Sequence, residues 1–489
     1  MATTETRRAV DLKLYIGGDW TEGTGDGVIE ISSPATGEHI ANLPKASPDD
    51  VRRAAEAARD AQREWRNVGP WQRAEICHRV GDEIERRVDE LAKIQTIEQG
   101  KPLAESIGDI KEAAELYHLH AEDMLRLHGE TLPSADPNKR ILTFHRPVGV
   151  WGVITPWNFP FLIPTELLAP GLATGNALVV KPPAHTPMTV LKAMEAFEAA
   201  GLPKGLVSVV PGDGDVGEMI VREPAVEAIG FVGSSATGAK IQATAGLKRT
   251  IMECSGNGPV IVLPDANIGE AARAAAFGAY FCAGQVCCAT ERVLVHRSVH
   301  DEFVEASLTE AGSVVLGDPF DGETNMGPLN NEPVAAKMDR HMADAVDKGA
   351  QVLAGGKRRS GMPTDLYYEY TLVDGVTENM LLNREESFGP VVPIISGGSD
   401  EELLEIANRD PLGLQAAVFT SNLRSAFFFM ENLDVGQVIV NDTTDYWDIN
   451  MPFGGAGGKN TGWGRIGGKY TLLDMTDLRT GVIDFSKTR

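Results

Sequence analysis

Apolar residues in this chain come in runs of two periods, and the order of those runs is the first information it offers. Residues 14–43 alternate short β-type runs (LYIGGDW, VIEISSP, HIANLP) with turn residues, which predicts a small antiparallel start. From Asp49 to about Leu127 the spacing becomes that of amphipathic helices, opened by a cap at Ser47-Pro48-Asp49 and the stretch VRRAAEAARDAQREW. A polar, Pro-rich interval (TLPSADPNK) and the run ILTFHRP fill 131–147 and read as a strand arm or a boundary. Four Val/Ile-rich runs follow, VGVWGVITP, NALVVKPP, LVSVVPG and AIGFVGS, with helical segments between them. Unbroken apolar strands alternating with helices predict a parallel sheet covered on both faces. From residue 259 a second set repeats the pattern: PVIVLPD, TERVLVHR, AQVLAGG, YEYTLVDGV, GPVVPIISG, AAVFT and GQVIVND. No Gly/Ser linker separates the two sets, so they predict two α/β domains packed around a cleft. No internal repeat or low-complexity tract interrupts them.

Composition narrows the classes of function. The chain has 489 residues, 43% of them apolar, enough for a sizeable core and against wholesale disorder. At roughly 150 residues per domain the length suits about three domains or two large ones. Forty-five basic against 69 acidic residues leave a net charge of −24, which repels nucleic-acid phosphates and anionic lipid surfaces. Neither is expected as a partner. The five cysteines (Cys77, Cys254, Cys282, Cys287, Cys288) form no secretory disulfide framework. MATTETRRAV has no apolar stretch of the kind a signal peptide carries. The longest apolar run, Ala271 to Ala283, is broken by Arg273, well short of the ~18 residues of a membrane span. A cytoplasmic location is the expectation.

The densest chemical signal is FCAGQVCCATERVLV, residues 281–295. Its C-x4-C-C spacing is not that of a zinc site, and adjacent cysteines rarely bridge, so no metal is expected. Cys77 and Cys254 read as small buried hydrophobes. Cys287 differs: the helix EAARAAAFGAYFCA is read as ending at Gly284, which puts Cys287 on a turn before a strand, where free N–H groups and a base could make and use a thiolate. Glu253 follows an apolar strand and opens a Gly/Ser/Asn loop that could aim a carboxylate into a cleft, although a lone loop Glu is usually solvated. Asn158, in TPWNFP on a strand-ending turn, could donate its amide to an oxyanion. Residues 212–217, GDGDVG, match G-x-G-x-x-G, but Asp213 and Asp215 would repel a pyrophosphate and no acidic residue stands ~20 positions on. That segment reads as a strand-to-helix turn.

Taken together, GQVCCA, MECSGNGP, TPWNFP, VVKPPAHTP, FVGSSATG, EESFGP and PFGGAGGKNTGWGR resemble the aldehyde dehydrogenase superfamily, in the family's order and over nearly the whole chain. The resemblance implies a Rossmann-like cofactor domain (1–124 and 148–254), a second α/β catalytic domain (255–455) and a β-strand oligomerisation arm (125–147 and 470–489). It implies a homodimer or homotetramer that oxidises a small-molecule aldehyde to the acid with NAD or NADP. By the same resemblance Cys287 is the nucleophile and Glu253 the base. Asn158, with the Cys287 N–H, is the oxyanion hole, and the Cys288 side chain projects elsewhere. Lys181 reaches the adenosine ribose, Gly233 and Ser234 meet the pyrophosphate, and Trp157 lies along the nicotinamide half. Glu386 holds the nicotinamide ribose with Phe388 beside it, and Cys254 lines the nicotinamide pocket through its backbone. A hydrolytic base argues against a relative that passes its thioester to coenzyme A, and the three catalytic groups argue against a non-catalytic binding protein.

Three departures qualify the pattern. Ala184 stands where NAD-committed members carry a Glu that binds the ribose hydroxyls, which admits NADP and predicts use of both cofactors. Ser255-Gly256-Asn257 replaces the usual G-G-K. Glu166 stands where relatives often place an Arg or an aromatic residue near the substrate tunnel, and Asp445, Trp447 and Asp448 precede PFGG. If these acids face the tunnel, carboxylate-tailed aldehydes are disfavoured and hydroxylated, amino or neutral aromatic ones favoured; otherwise they are solvated rim residues.

Overall fold

In the computed structural model, residues 9–487 are described. The first eight residues, on which the reading of the N-terminal segment rests, and residues 488–489 of the expected arm lie outside them. Ser47 caps the helix Pro48–Trp65 in a capping box with Asp50. The face of that helix carrying Val51, Ala54, Ala55, Ala58 and Trp65 is buried. Its closing indole donates to the Leu172 carbonyl at 2.9 Å, tying the helical N-terminal region to the first sheet's central helix.

An eight-stranded sheet runs in the order Gly462–Trp463, Arg249–Cys254, Ala228–Gly233, Val150–Ile154, Ala177–Lys181, Val207–Val209, Leu14–Ile16, Asp19–Thr21. Its five middle strands are parallel, and the edges are antiparallel. Successive strands step away from Val150–Ile154 in one direction, through Ala177–Lys181 to Val207–Val209. The chain then returns to Ala228–Gly233 on the other side, which makes a topological switch point between Val150–Ile154 and Ala228–Gly233. Ligands of open α/β sheets bind outside the carboxyl ends of the strands at such a point.

A seven-stranded sheet follows: Gln351–Ala354, Thr371–Asp374, Val391–Gly397, Arg292–His296, Pro259–Val262, Gln415–Phe419, Gln437–Val440. It is parallel apart from its Gln351–Ala354 edge. Only Ser255–Gly258 connects Arg249–Cys254 to Pro259–Val262, so the carboxyl end of the first sheet meets the amino end of the second. A third sheet pairs Lys139–Pro147 antiparallel with Thr476–Asp484 along nine residues, with Thr131–Leu132 on its far side. Among the described residues, no helix is long and apolar enough to cross a membrane.

Two local readings are corrected. The helix Ile268–Tyr280 ends before Gly284, because Cys282 and Ala283 adopt positive φ (49° and 54°) in a short 3-10 turn. The Glu105 carboxylate accepts the Cys282 N–H at 3.0 Å, a contact 177 residues away in sequence that fixes the kink. Glu253 lies on a strand and not in the following loop, paired with Val232 and Gly462, so its direction is set by the sheet.

Candidate active site

Three elements converge where the sheets meet. Asn158 follows the strand Val150–Ile154; it is buried and donates from Nδ2 to the Gln285 carbonyl at 2.9 Å. That bond uses one amide hydrogen and leaves the other for the cavity that Asn158 lines with Cys287 and Glu253. Gln285 is pinned in turn: its Nε2 donates to the Cys282 carbonyl at 2.7 Å, and its Oε1 accepts the Asn330 N–H at 2.8 Å. The turn carrying Cys287 therefore sits in a rigid frame. A Cβ on Gly256 would lie 2.0 Å from the Cys287 carbonyl oxygen, so only glycine allows the connection to pass this close.

Glu253 is 3% exposed and its Oε1 is buried without a partner. Burial pushes its carboxyl up to about 7, partly offset by a hydrogen bond from the Cys287 thiol. Cys287 is held well above the usual thiol range by its hydrogen bond with Cys288, by burial and by the Glu253 charge. The thiol is thus protonated next to a carboxylate poised near neutrality, the arrangement a base-activated nucleophile requires.

Two cavities of about 220 Å³ each meet at Cys287 and Glu253. The first is walled by Phe159, Ile163, Phe281 and Trp447 and carries Asp109, Glu112, Glu166 and Asp445. Cys288 also lines it, with Sγ 3.6 Å from Asp445 Oδ1, so its side chain does not project elsewhere. Backbone curvature through the Cys287-Cys288 turn brings both thiols toward one space. Glu166, on the wholly buried helix Leu162–Thr174, is 7% exposed, and Asp445 is half-buried; neither is a solvated rim residue. Asp448 is exposed and is not part of this wall.

The second cavity holds Trp157, Gly233, Ser234, Lys337, Glu386 and Phe388. Trp157 and Phe388 pack edge to face at 5.6 Å, and Phe388 has φ +56°. Glu386 accepts the Gly256 N–H at 3.0 Å. Through Pro156, Val232, Gly233 and Ser234 this cavity continues into a groove of about 760 Å³. Lys181 lies in its floor, donating to the Pro182 and Gly212 carbonyls at 3.1 and 3.0 Å. Burial lowers that ammonium to about 8. Ser234 caps the helix Ser235–Ala245, whose first turn opens on the groove. Gly233 has φ +156°, and a Cβ there would meet the Phe231 ring.

A dinucleotide fits these residues: helix N-terminal N–H groups for its phosphates, Lys181 for a ribose, and a carboxylate with aromatic neighbours at the far end. The Asp213 and Asp215 carboxylates of GDGDVG pair with Lys45 at 3.3 and 2.8 Å, and only the backbone side of that turn borders the groove. Ala184 is half-buried and outside the groove lining. The Cys254 thiol turns away beneath Gly238, into a separate cavity. Asn257 binds the Asn383 carbonyl and Asp410, at 3.1 and 2.5 Å, a structural use of the position. Among the described residues no group of three or more His, Cys, Asp or Glu is placed to hold a metal.

Four site residues escape a reading of the sequence: Asp109, Glu112, Lys240 and Lys337. The first two lie one helical turn apart on Leu103–Leu125, and the spacing alone could have flagged them as neighbours, but not which face turns inward. Lys240, on the helix that Ser234 caps, lines the groove, and Lys337 lines the cavity with Glu386.

Residues 20–480 match the model of the aldehyde dehydrogenase family. The mitochondrial succinate-semialdehyde dehydrogenase of Arabidopsis thaliana is 36% identical over 468 residues, covering 95% of this chain and 88% of the relative. The Escherichia coli succinate-semialdehyde dehydrogenase (NADP(+)) GabD is 34% identical, covering 96% of each. A crystal structure of succinate-semialdehyde dehydrogenase from Burkholderia pseudomallei superposes with a TM-score of 0.94 at 36% identity, covering 99% of both chains. With this fold, these motifs and that similarity over its whole length, the chain belongs to the aldehyde dehydrogenase family and oxidises aldehydes to acids with NAD(P)+.

Proposed function

We propose that Cys287 is the nucleophile, Glu253 the general base, and Asn158 with the Cys287 N–H the oxyanion hole. The observation that carries this reading is the buried Glu253 carboxyl, one oxygen of it without a partner, lining with Cys287 both of the cavities that meet there. Glu253 takes the thiol proton, and the sulfur adds to the aldehyde carbon from the acid-lined side. The resulting alkoxide is stabilised by the Asn158 amide, a contribution of ~3–4 kcal/mol for such a donor. The nicotinamide, when bound in the second cavity, supplies the hydride acceptor. Loss of hydride leaves a thioester on Cys287. Glu253 releases the thiol proton to solvent and, as carboxylate again, takes a proton from water, whose oxygen attacks the thioester carbon; the acid leaves and the Cys287 sulfur departs as thiolate, to be reprotonated.

Lys181, Gly233, Ser234, Trp157, Glu386 and Phe388 hold the cofactor, and the Cys254 backbone borders its reactive end. The chain divides into the cofactor domain, the catalytic domain and the arm outlined above. The arm joins subunits into a dimer or tetramer, supported by the open edge of Thr476–Asp484 and the exposed Leu478, Val482 and Ile483 on it. The substrate lacks a carboxylate tail: succinate semialdehyde, named for the relatives, would bring a second anion into a wall that has four carboxyl side chains besides Glu253 and no Lys, Arg or His.

Glu253→Gln tests the base. The variant should lose the first-turnover release of reduced nicotinamide together with steady turnover, kcat falling by ~10²–10⁴-fold. In the unmodified protein the hydrolytic rate should be lost as pH falls below about 7, where the Glu253 carboxyl takes up its proton, and that limb should vanish in the variant. Steady turnover by Glu253→Gln at the unmodified rate would remove Glu253 from this role.

A further inference from the structure

The cavity on the aldehyde side contains more negative groups than the chemistry uses. Glu253 is committed to Cys287, and Asp109 is neutralised by the buried Lys101 at 2.7 Å. Glu112, Glu166 and Asp445 remain. Glu166 is the decisive one: it is 93% buried, projects from an otherwise apolar stretch of helix into the cavity, and has no hydrogen-bond or ion-pair partner among the described residues. Glu112 has a buried oxygen without a partner, as has Asp445. Removing carboxyl groups from water without partners is costly, and such groups ordinarily find a cation, a donor or a metal. Asp445 receives the Cys288 thiol on Oδ1, no described Lys, Arg or His pairs with any of the three, and an anionic ligand would add like charge.

Resting on the dehydrogenase reading above, we propose that Glu112, Glu166 and Asp445 bind the ammonium group of a short cationic aldehyde, with Trp447 and Phe281 covering its methylene chain. A primary ammonium brings three donors to three acceptor groups. The Trp447 ring adds an aromatic face, which favours a cation and gives nothing to a carboxylate. Burial holds the Glu166 and Asp445 carboxyls well above the ordinary range, with the charges of Glu253 and Glu112 adding to it at Glu166, and an arriving cation offsets both effects.

Three aldehydes of the same reach separate the possibilities: 3-aminopropanal (cationic at neutral pH), butanal, and succinate semialdehyde. In steady-state assays with saturating NAD+ and, separately, NADP+, kcat/KM should be at least tenfold higher for 3-aminopropanal than for butanal. Succinate semialdehyde should rank last. Glu166→Gln keeps the shape of the side chain and removes its charge, and should lower the 3-aminopropanal-to-butanal ratio by about tenfold, chiefly through KM. Glu112→Gln gives an independent variant should the first fail to fold. Equal or better use of butanal or succinate semialdehyde by the unmodified protein, or an unchanged ratio in a folded variant, overturns the ammonium site and leaves the dehydrogenase reading intact. No reduction of either cofactor with any of the three overturns both.

Discussion

The two cavities that meet at Cys287 have equal volumes and opposite designs. On the cofactor side, apart from the shared Glu253, the one carboxylate is engaged: Glu386 accepts a backbone N–H, and Lys337 lies in the same wall. Phosphate is left to backbone donors at a helix end. On the aldehyde side the carboxyl groups outnumber their partners, and apolar rings fill the space between them. A net charge of −24 suggests by itself only that anions are unwelcome. The contrast between the cavities shows that charge in this molecule is placed locally: a capped helix end and Lys181 border the groove behind one, while carboxyl groups are concentrated in the other.

The comparison breaks most visibly at Cys287, one of the residues both cavities share. Cys287→Ala should lower aldehyde-dependent kcat/KM by on the order of 10⁴-fold or more, since nucleophile and base act as a unit. Cys288→Ala, which alters only the acid-lined wall, should cost less than about tenfold. The reverse ranking, read by absorbance of the reduced nicotinamide, would move the nucleophile one residue along. Asn158→Ala should lower kcat by ~10²–10³-fold with a smaller effect on the KM of either substrate, as expected for a donor used at the alkoxide; a pure KM effect would make it a binding residue instead. Lys181→Met acts on the cofactor side alone. It should raise the cofactor KM about tenfold, the loss of one charged hydrogen bond worth ~1.5 kcal/mol, with kcat little changed. In the unmodified protein, with Ala184 in place of a ribose-binding carboxylate, kcat/KM for NAD and NADP should differ by less than about a thousandfold (~4 kcal/mol).

What the sequence revealed depended on how local the physical requirement was. The alternation of Val/Ile runs with helices reads out both parallel sheets, because burial on two faces leaves no freedom in the pattern. Ser47 is legible as a cap because a helix start needs a side-chain acceptor in place. The kink at Cys282 was not legible: its positive φ is imposed by Glu105 in a helix far away, and the apolar run continues through it undisturbed. Glu112 was hidden for a related reason. The helix Leu103–Leu125 carries acids on several faces, and only packing decides that Asp109 and Glu112 turn inward. Cys288 was misread because adjacency to Cys287 says nothing of where a side chain on a turn is directed.

The four residues Ser255–Gly258 have one more effect. Gly256 passes against the Cys287 carbonyl, Asn257 is tied to Asn383 and Asp410, and the Arg292 guanidinium clasps the Asn257 carbonyl at 3.0 and 3.1 Å. Two sheets joined by a free linker could open and close as separate bodies. Here the junction is a weld and not a hinge. The route to Cys287 then runs through the mouths of the two cavities that meet at it.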